Sequence, residues 1–254
     1  MSNTVPTHWI FLRGLSRETA HWDDFPQRCE ADLGWQVECI DLPGFGDQHR
    51  RASPNNIAAI VADIRSRSTT QNTAEKRGIL GLSLGGMLAL HWAASYPQDL
   101  TAVITINSSS GNSPLHHRLK PSALLPVIKS FSSRSIKRQE RAILKMVSNN
   151  SADDNDVLAQ WVKLRQHNKI QKGNVINQLI AASRYRLPSA NAVTHIQHGL
   201  VLSSYADRMV SWQCSELVAE RYHWPLVLHN HAGHDLPLDD PNWILTEISR
   251  WQNA

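Results

Sequence analysis

The sequence predicts an α/β fold: a mostly parallel sheet flanked by helices, interrupted late in the chain by an inserted helical segment. Three observations predict it. Apolar strand-like runs alternate with amphipathic helical patterns through the first half. The strand signal then stops after Asn107 and resumes near Gly199, with only helical patterns between. Finally, one apolar run passes through Gly81-Leu82-Ser83-Leu84-Gly85 into a helical stretch, a strand–turn–helix with a single serine at the bend.

Taken in order, His8-Trp9-Ile10-Phe11-Leu12 reads as the first strand, and Gln36-Val37-Glu38-Cys39-Ile40 alternates as a second before Asp41. Residues 56–67 are helical, because Ile57, Ile60, Val61 and Ile64 recur on one stripe after a Ser53-Pro54 start. A third strand over 77–82 delivers Ser83 to the bend, and 86–95 leaves it as a helix. Gly81 and Gly85 suit so tight a turn, where a Cβ beside the serine would meet neighbouring backbone. The serine itself is expected in strained φ/ψ, which aims its hydroxyl outward. Residues 102–106, β-branched and ending at Asn107, form a fourth strand.

Three helical stretches fill the gap that follows, over 135–147, 154–167 and 174–182, with Ser135 and Asp154 placed as N-caps. Strands resume over 199–204 and 226–229. The chain thus divides into a core built from residues 1–112 and 188–254 and a helical cap inserted over 113–187. Charge follows the same division. Residues 111–186 hold 14 Lys or Arg against four acids, whereas the rest holds 12 against 18, within a total of +4. A basic layer on an acidic core suggests a binding surface of its own.

Bulk properties exclude several classes. A chain of 254 residues with 41% hydrophobic and 19% charged content buries a sizeable core and is not disordered. No apolar run reaches the roughly 18 residues of a spanning helix, so no membrane role is expected. Residues 1–7 lack a basic leader and the apolar stretch at 9–12 is short for a signal peptide. Cys29, Cys39 and Cys214 are odd in number and show no C-x-x-C spacing, which points to free thiols in a reducing cytoplasm and not to a disulfide framework or a zinc site. The acidic core and the lack of a binding motif argue against nucleic acid.

A serine hydroxyl needs a histidine base, itself oriented by a carboxylate, before it becomes a useful nucleophile. In a parallel sheet of this kind the partners follow in the order Ser, Asp or Glu, His, each beyond the end of a later strand. Asp207 follows the strand over 199–204, and His234 follows the strand over 226–229 in Asn230-His231-Ala232-Gly233-His234-Asp235. Other readings stand beside these. Asp207 could merely cap a helix starting near Val210, and His231 is an alternative base, although Gly233 favours His234. Asp235, Asp239 and Asp240 sit beside or after the histidine, out of order for an orienting carboxylate. The oxyanion donors are expected to be the backbone N–H groups of Leu84, after the serine, and of Leu15, in the loop after the first strand.

With G-L-S-L-G-G-M, the D-L-P-G-F-G run over Asp41–Gly46, Asp207 and Gly233-His234 in place, the chain resembles the α/β-hydrolases over essentially its whole length. Within that superfamily it resembles small bacterial capped serine esterases, including the pimeloyl-carrier methyl ester esterases, and the cofactor-free carbon–carbon hydrolases and lyases. The resemblance implies cleavage of a carboxylic ester or thioester through an acyl-enzyme, with no metal or organic cofactor. Its alternatives are a carbon–carbon hydrolase or lyase using the same residues, or a non-catalytic ligand-binding member of the fold. The chain departs from many members where Arg13-Gly14 replaces His-Gly. Arg13 is expected to pair with Glu18 and hold the loop; the alternative places it at the pocket to favour an anionic substrate. Lys129, Arg134, Lys137, Arg138, Arg141 and Lys145 cluster around the first cap helix, either as a solvated face or as a dock for an acidic acyl carrier protein. Leu124, Leu125, Val127, Ile128 and Phe131 suit an apolar acyl pocket, or simple packing of cap on core.

Overall fold

The computed structural model describes residues 5–69, 77–123, 127–128 and 133–253. Leu124, Leu125, Lys129 and Phe131 lie outside the described residues.

Six strands form one parallel sheet: β1 His8–Leu12, β2 Gln36–Cys39, β3 Arg77–Leu82, β4 Leu100–Ile106, β5 His198–Ser204 and β6 Leu226–His229. Their order is β2-β1-β3-β4-β5-β6, with every neighbouring pair parallel. A parallel sheet must be covered on both faces, and these strands show why they tolerate it. Ile10, Leu12, Ile79, Val103 and Val201 belong to one buried cluster, and their neighbours in sequence, Trp9, Phe11, Leu80, Ile104 and Leu202, belong to another. Both sets of alternating side chains are apolar, so both faces demand helices.

The first cluster is covered by α2 (Ile57–Arg67) and α3 (Leu84–Ser95), the second by α1 (Phe25–Leu33) and, at the C-terminus, α8 (Pro241–Gln252). Helix α3 is buried nearly all round, as a helix wedged against the centre of a sheet must be. Between β4 and β5 lie α4 (Ile136–Val147), α5 (Asn155–His167) and α6 (Lys172–Arg184); α7 (Gln213–Tyr222) follows β5. Ser135 accepts from the Arg138 N–H and Asp154 from those of Asp156 and Val157, the caps their sequence positions suggest.

Helices α4, α5 and α6 do not share one core. Leu144, Met146 and Val147 of α4 pack with Leu158 and Trp161 of α5 in a third cluster, while Val175 and Ala181 of α6 join the large cluster of the sheet. Helix α6 is thus fixed to the body of the molecule, and α4 and α5 form a separate two-helix layer. Helices α1 and α8 were not expected from the sequence, and α7 begins at Gln213, whereas the sequence allows a start near Val210. The start of α8 carried a readable signal: Asp240 accepts from the Trp243 N–H ahead of Pro241 in the first turn.

The chain runs from β1 outward to β2, then crosses to β3 and continues in the other direction. The crevice at that reversal, beyond the carboxyl ends of β1 and β3, is where open parallel sheets bind ligands.

Candidate active site

Ser83 stands at that crevice, between the end of β3 and the start of α3. Its φ of 56° and ψ of −114° are strained for a residue with a side chain. Three bonds impose the conformation. The Ser83 N–H extends the β3–β4 ladder to Ile106 O at 2.8 Å, the Gly86 N–H bonds Ser83 O at 3.0 Å, and the Ser108 hydroxyl donates to the same carbonyl at 2.8 Å. The flanking glycines are needed for space: a Cβ on Gly81 would lie 2.2 Å from Gly85 O, and one on Gly85 would lie 2.1 Å from Leu12 O. The backbone of the bend therefore touches itself and the end of β1.

His234 is supplied by the loop after β6 and Asp207 by the loop after β5; both are buried. His234 Nδ1 donates to Asp207 Oδ2 at 2.7 Å. Asp207 Oδ1 accepts from the N–H groups of Met209 at 2.7 Å and Val210 at 3.0 Å. Asp207 thus gives one oxygen to the imidazole and one to a turn; it does not cap the helix that follows, which begins only at Gln213 with Trp212 at its N-cap. Burial acts to lower the His234 pKa, but the Asp207 charge and hydrogen bond, aided by Asp235, outweigh it and leave the imidazole above its ordinary 6.5.

Ser83 and His234 line one cavity of about 310 Å³, which Leu15 and Leu84 also border. Gly14 brings the β1 loop up to the serine, so that a Cβ there would sit 3.3 Å from the Ser83 Cβ. Ser16, at φ 57°, is held by its N–H to Gln178 Oε1 at 2.9 Å, which fixes this loop from α6. His231 is exposed and does not border the cavity. Arg138 is exposed and Arg141 half-buried on α4, where Arg141 donates to Asn155 Oδ1 at 2.8 Å. Among the described residues no three His, Cys, Asp or Glu side chains converge as a metal ion would require.

The expected Arg13–Glu18 pair does not form. Arg13 reaches across the chain to Asp235 in a two-point pair, Nη1 to Oδ1 at 3.1 Å and Nη2 to Oδ2, with its guanidinium carbon 4.6 Å from the centre of the Trp22 ring. Both partners are buried and both border the cavity. Glu18 accepts instead from Asn168 Nδ2, at 3.0 and 3.1 Å. A fork-to-fork pair with a carboxylate made available by folding prevails over a neighbour in sequence.

Two residues that hold the site were not picked out as such from the sequence. Asn107, at the end of β4 with φ 46°, donates from Nδ2 to His234 O at 2.8 Å and accepts at Oδ1 from Ser203 Oγ and the Ser204 N–H. Its place after a β-branched strand was the only hint. Asp239 accepts from the N–H groups of Gly233 at 2.6 Å and Asn149 at 2.8 Å and from the Ser148 hydroxyl, joining the histidine loop to the end of α4.

The sequence profile of the alpha/beta hydrolase family matches residues 8–247. The chain belongs to that family. A pimeloyl-[acyl-carrier protein] methyl ester esterase of Vibrio parahaemolyticus is 33% identical over 102 residues, 39% of this chain and 36% of the relative's length. That matched stretch spans little more than a third of the relative. The enzyme of the same name from Proteus mirabilis is 25% identical over 235 residues, 90% of this chain and 85% of its own. Among solved structures, the 2-hydroxy-6-oxo-6-phenylhexa-2,4-dienoate hydrolase of Rhodococcus sp. strain RHA1 superposes with a TM-score of 0.75 over 100% of this chain and 92% of its own, at 18% identity. At that identity the likeness is one of fold.

Proposed function

We propose that this member of the alpha/beta hydrolase family is a serine hydrolase that cleaves a carboxylic ester or thioester. The observation that carries the reading is the His234–Asp207 hydrogen bond of 2.7 Å, on a histidine that shares a cavity with Ser83. Ser83 Oγ attacks the substrate carbonyl while His234 Nε2 takes its proton. The backbone N–H groups of Leu15 and Leu84 stabilise the oxyanion, and Leu84 gains from its position in the first turn of α3. The tetrahedral intermediate collapses, and the leaving alcohol or thiol departs with the proton held by His234. Water then attacks the acyl-enzyme, gives one proton to His234, and releases the acid as Ser83 regains its hydrogen. Asp207 holds the imidazole in the tautomer and orientation that both halves need. The segment over 113–187 acts as a cap on the acyl pocket.

The esterase relatives act, by name, on a carrier-linked methyl ester. Together with the basic charge of the segment carrying Arg138 and Arg141, this supports an acidic acyl carrier protein as the partner that presents substrate, in the cytoplasm.

The test is hydrolysis of p-nitrophenyl esters with acyl chains from two to twelve carbons, alongside fluorophosphonate labelling. The intact protein is expected to turn over some members and to be labelled. Ser83→Ala should lose labelling and lose activity by on the order of 10³-fold or more. A Ser83→Ala protein that retained turnover would overturn the assignment of the nucleophile.

A further inference from the structure

The cavity holds a second group prepared to bind, one turn along the loop from Gly14. The Arg17 side chain is 92% buried, with 8% of its surface exposed, and it borders the cavity. Its Nη1 is in use, donating to Glu140 Oε2 at 2.8 Å and lying 3.0 Å from His21 Nε2. Its guanidinium carbon lies 4.1 Å from the centre of the Trp161 ring, which fixes the plane of the group. Nη2 is buried and has no hydrogen-bond partner among the described residues. A buried charged nitrogen left without an acceptor is costly unless something else fills the place.

The charge around it points to what fills the place. Glu140 is fully buried and faces two guanidinium groups, Arg17 and, at 3.4 Å, Arg165, which also borders the cavity. One carboxylate therefore answers two cations. His21 does not alter the balance: burial first, then Arg17 and Arg13, push its pKa well below 6.5, so it is neutral. Glu18, the other nearby acid, binds Asn168 and does not border the cavity. Arg13, the other buried arginine at the cavity wall, has both terminal nitrogens and its charge answered by Asp235, so only its Nε is left without a partner among the described residues and the pair offers no net charge.

We infer that Arg17 is a second anchoring point of the cavity, for a carboxylate carried by the substrate away from the bond that is cleaved. The inference rests on the reading of Ser83 as nucleophile only for the word substrate; anion binding by Arg17 stands apart from it. The substrate class is then a half-ester or half-thioester of a dicarboxylic acid, with the scissile carbonyl at Ser83 and the free acid at Arg17; where a carrier presents it, the carrier is the leaving thiol. Arg165 supports the anion by charge, and the two-helix layer of α4 and α5 supplies Glu140, Trp161 and Arg165 to hold Arg17 in place.

The experiment compares monomethyl and dimethyl esters of dicarboxylic acids of three to eight carbons. The expected result is a preference of the intact protein for the monoester anion of one length, roughly ten- to a hundredfold in kcat/KM, the reach of one hydrogen bond to a charged group. That ratio should fall to about one in Arg17→Met, with the change residing in KM. Because Arg17→Met leaves Glu140 with a single partner, the paired variant Arg17→Met/Glu140→Gln is measured beside it and should show the same loss of preference. Calorimetry on Ser83→Ala protein with the monomethyl esters should show binding that Arg17→Met abolishes. A ratio near one in the intact protein, or a ratio in both Arg17 variants unchanged from that of the intact protein, overturns the inference. Ester turnover that survives Ser83→Ala would instead overturn the nucleophile assignment and leave the calorimetric result standing.

Discussion

Asp207 divides its two carboxylate oxygens between a turn and an imidazole. The turn bonds lock the carboxylate, and the locked carboxylate locks His234, so the orientation of the imidazole is decided by backbone N–H groups two and three residues further on. The electrostatic consequence has a definite sign. The His234 pKa stands above 6.5 against burial because of Asp207. In the proposed mechanism His234 is a base and works only when neutral, so kcat/KM should rise with pH through a midpoint above 6.5. In Asp207→Asn the charge is gone and burial prevails, so the acid limb should move to lower pH while kcat falls on the order of 10³- to 10⁴-fold. A pH–rate profile of both proteins checks this; an unmoved limb would show that it reports another group. Stability follows the opposite limb. A raised folded-state pKa contributes stability that is complete below 6.5 and is lost as the pH climbs through the folded value. The pH range in which His234 is ready to act is therefore the range in which this contribution has gone.

At the scale of elements, β1 and the loop after β6 are joined by the buried Arg13–Asp235 pair. Removing one partner leaves a buried charge alone. Arg13→Met should destabilise the protein by about 3–5 kcal/mol, whereas Arg13→Met/Asp235→Leu, which removes both charges, should recover most of the loss. Urea midpoints of the two variants decide it, and equal midpoints would show that the stranded carboxylate is not the cause. This pair also marks the limit of what the sequence made legible. Strands whose two faces are both apolar, helices with a single stripe and caps at Ser135 and Asp154 are local signals, and each expected boundary of those elements moved by two residues or fewer. Ser83, Asp207 and His234 were visible because each follows a strand. Arg13 was misread because its partner is 222 residues away and a nearer acid, Glu18, was in view. Asn107 and Asp239 escaped for a related reason. Their work is to bind backbone groups of other loops, and a side chain that binds backbone leaves no complementary residue in the sequence to reveal it.

For the whole molecule the dominant asymmetry is charge, with a net positive segment between Gly111 and Arg186 on a net negative remainder. Attraction of that kind governs encounter more than grip, and it weakens with salt. If the basic layer receives an acidic carrier, Arg138→Glu/Arg141→Glu should slow turnover of a carrier-linked ester by roughly tenfold or more at low ionic strength, and the difference should shrink as salt is added. A small neutral ester is the control. Equal losses on both substrates, or none on either, would exclude a docking role for this face.

The link through Asp239 bears on where molecules enter. The turn after α4 is fastened to the histidine loop by Ser148 and Asn149 on Asp239 and by Asn149 Nδ2 on His231 O, and to the Asp207 loop by Asn149 Nδ2 on Ala206 O and by Arg208 on Asn149 Oδ1. Parting the layers on that side would break these bonds together and remove the support they give to both loops. Leu115 and Leu179 are both exposed and both on the cavity wall, so the cavity meets the surface on that side. A substrate entering past those leucines would leave the stitched edge, and the His234–Asp207 hydrogen bond beside it, intact.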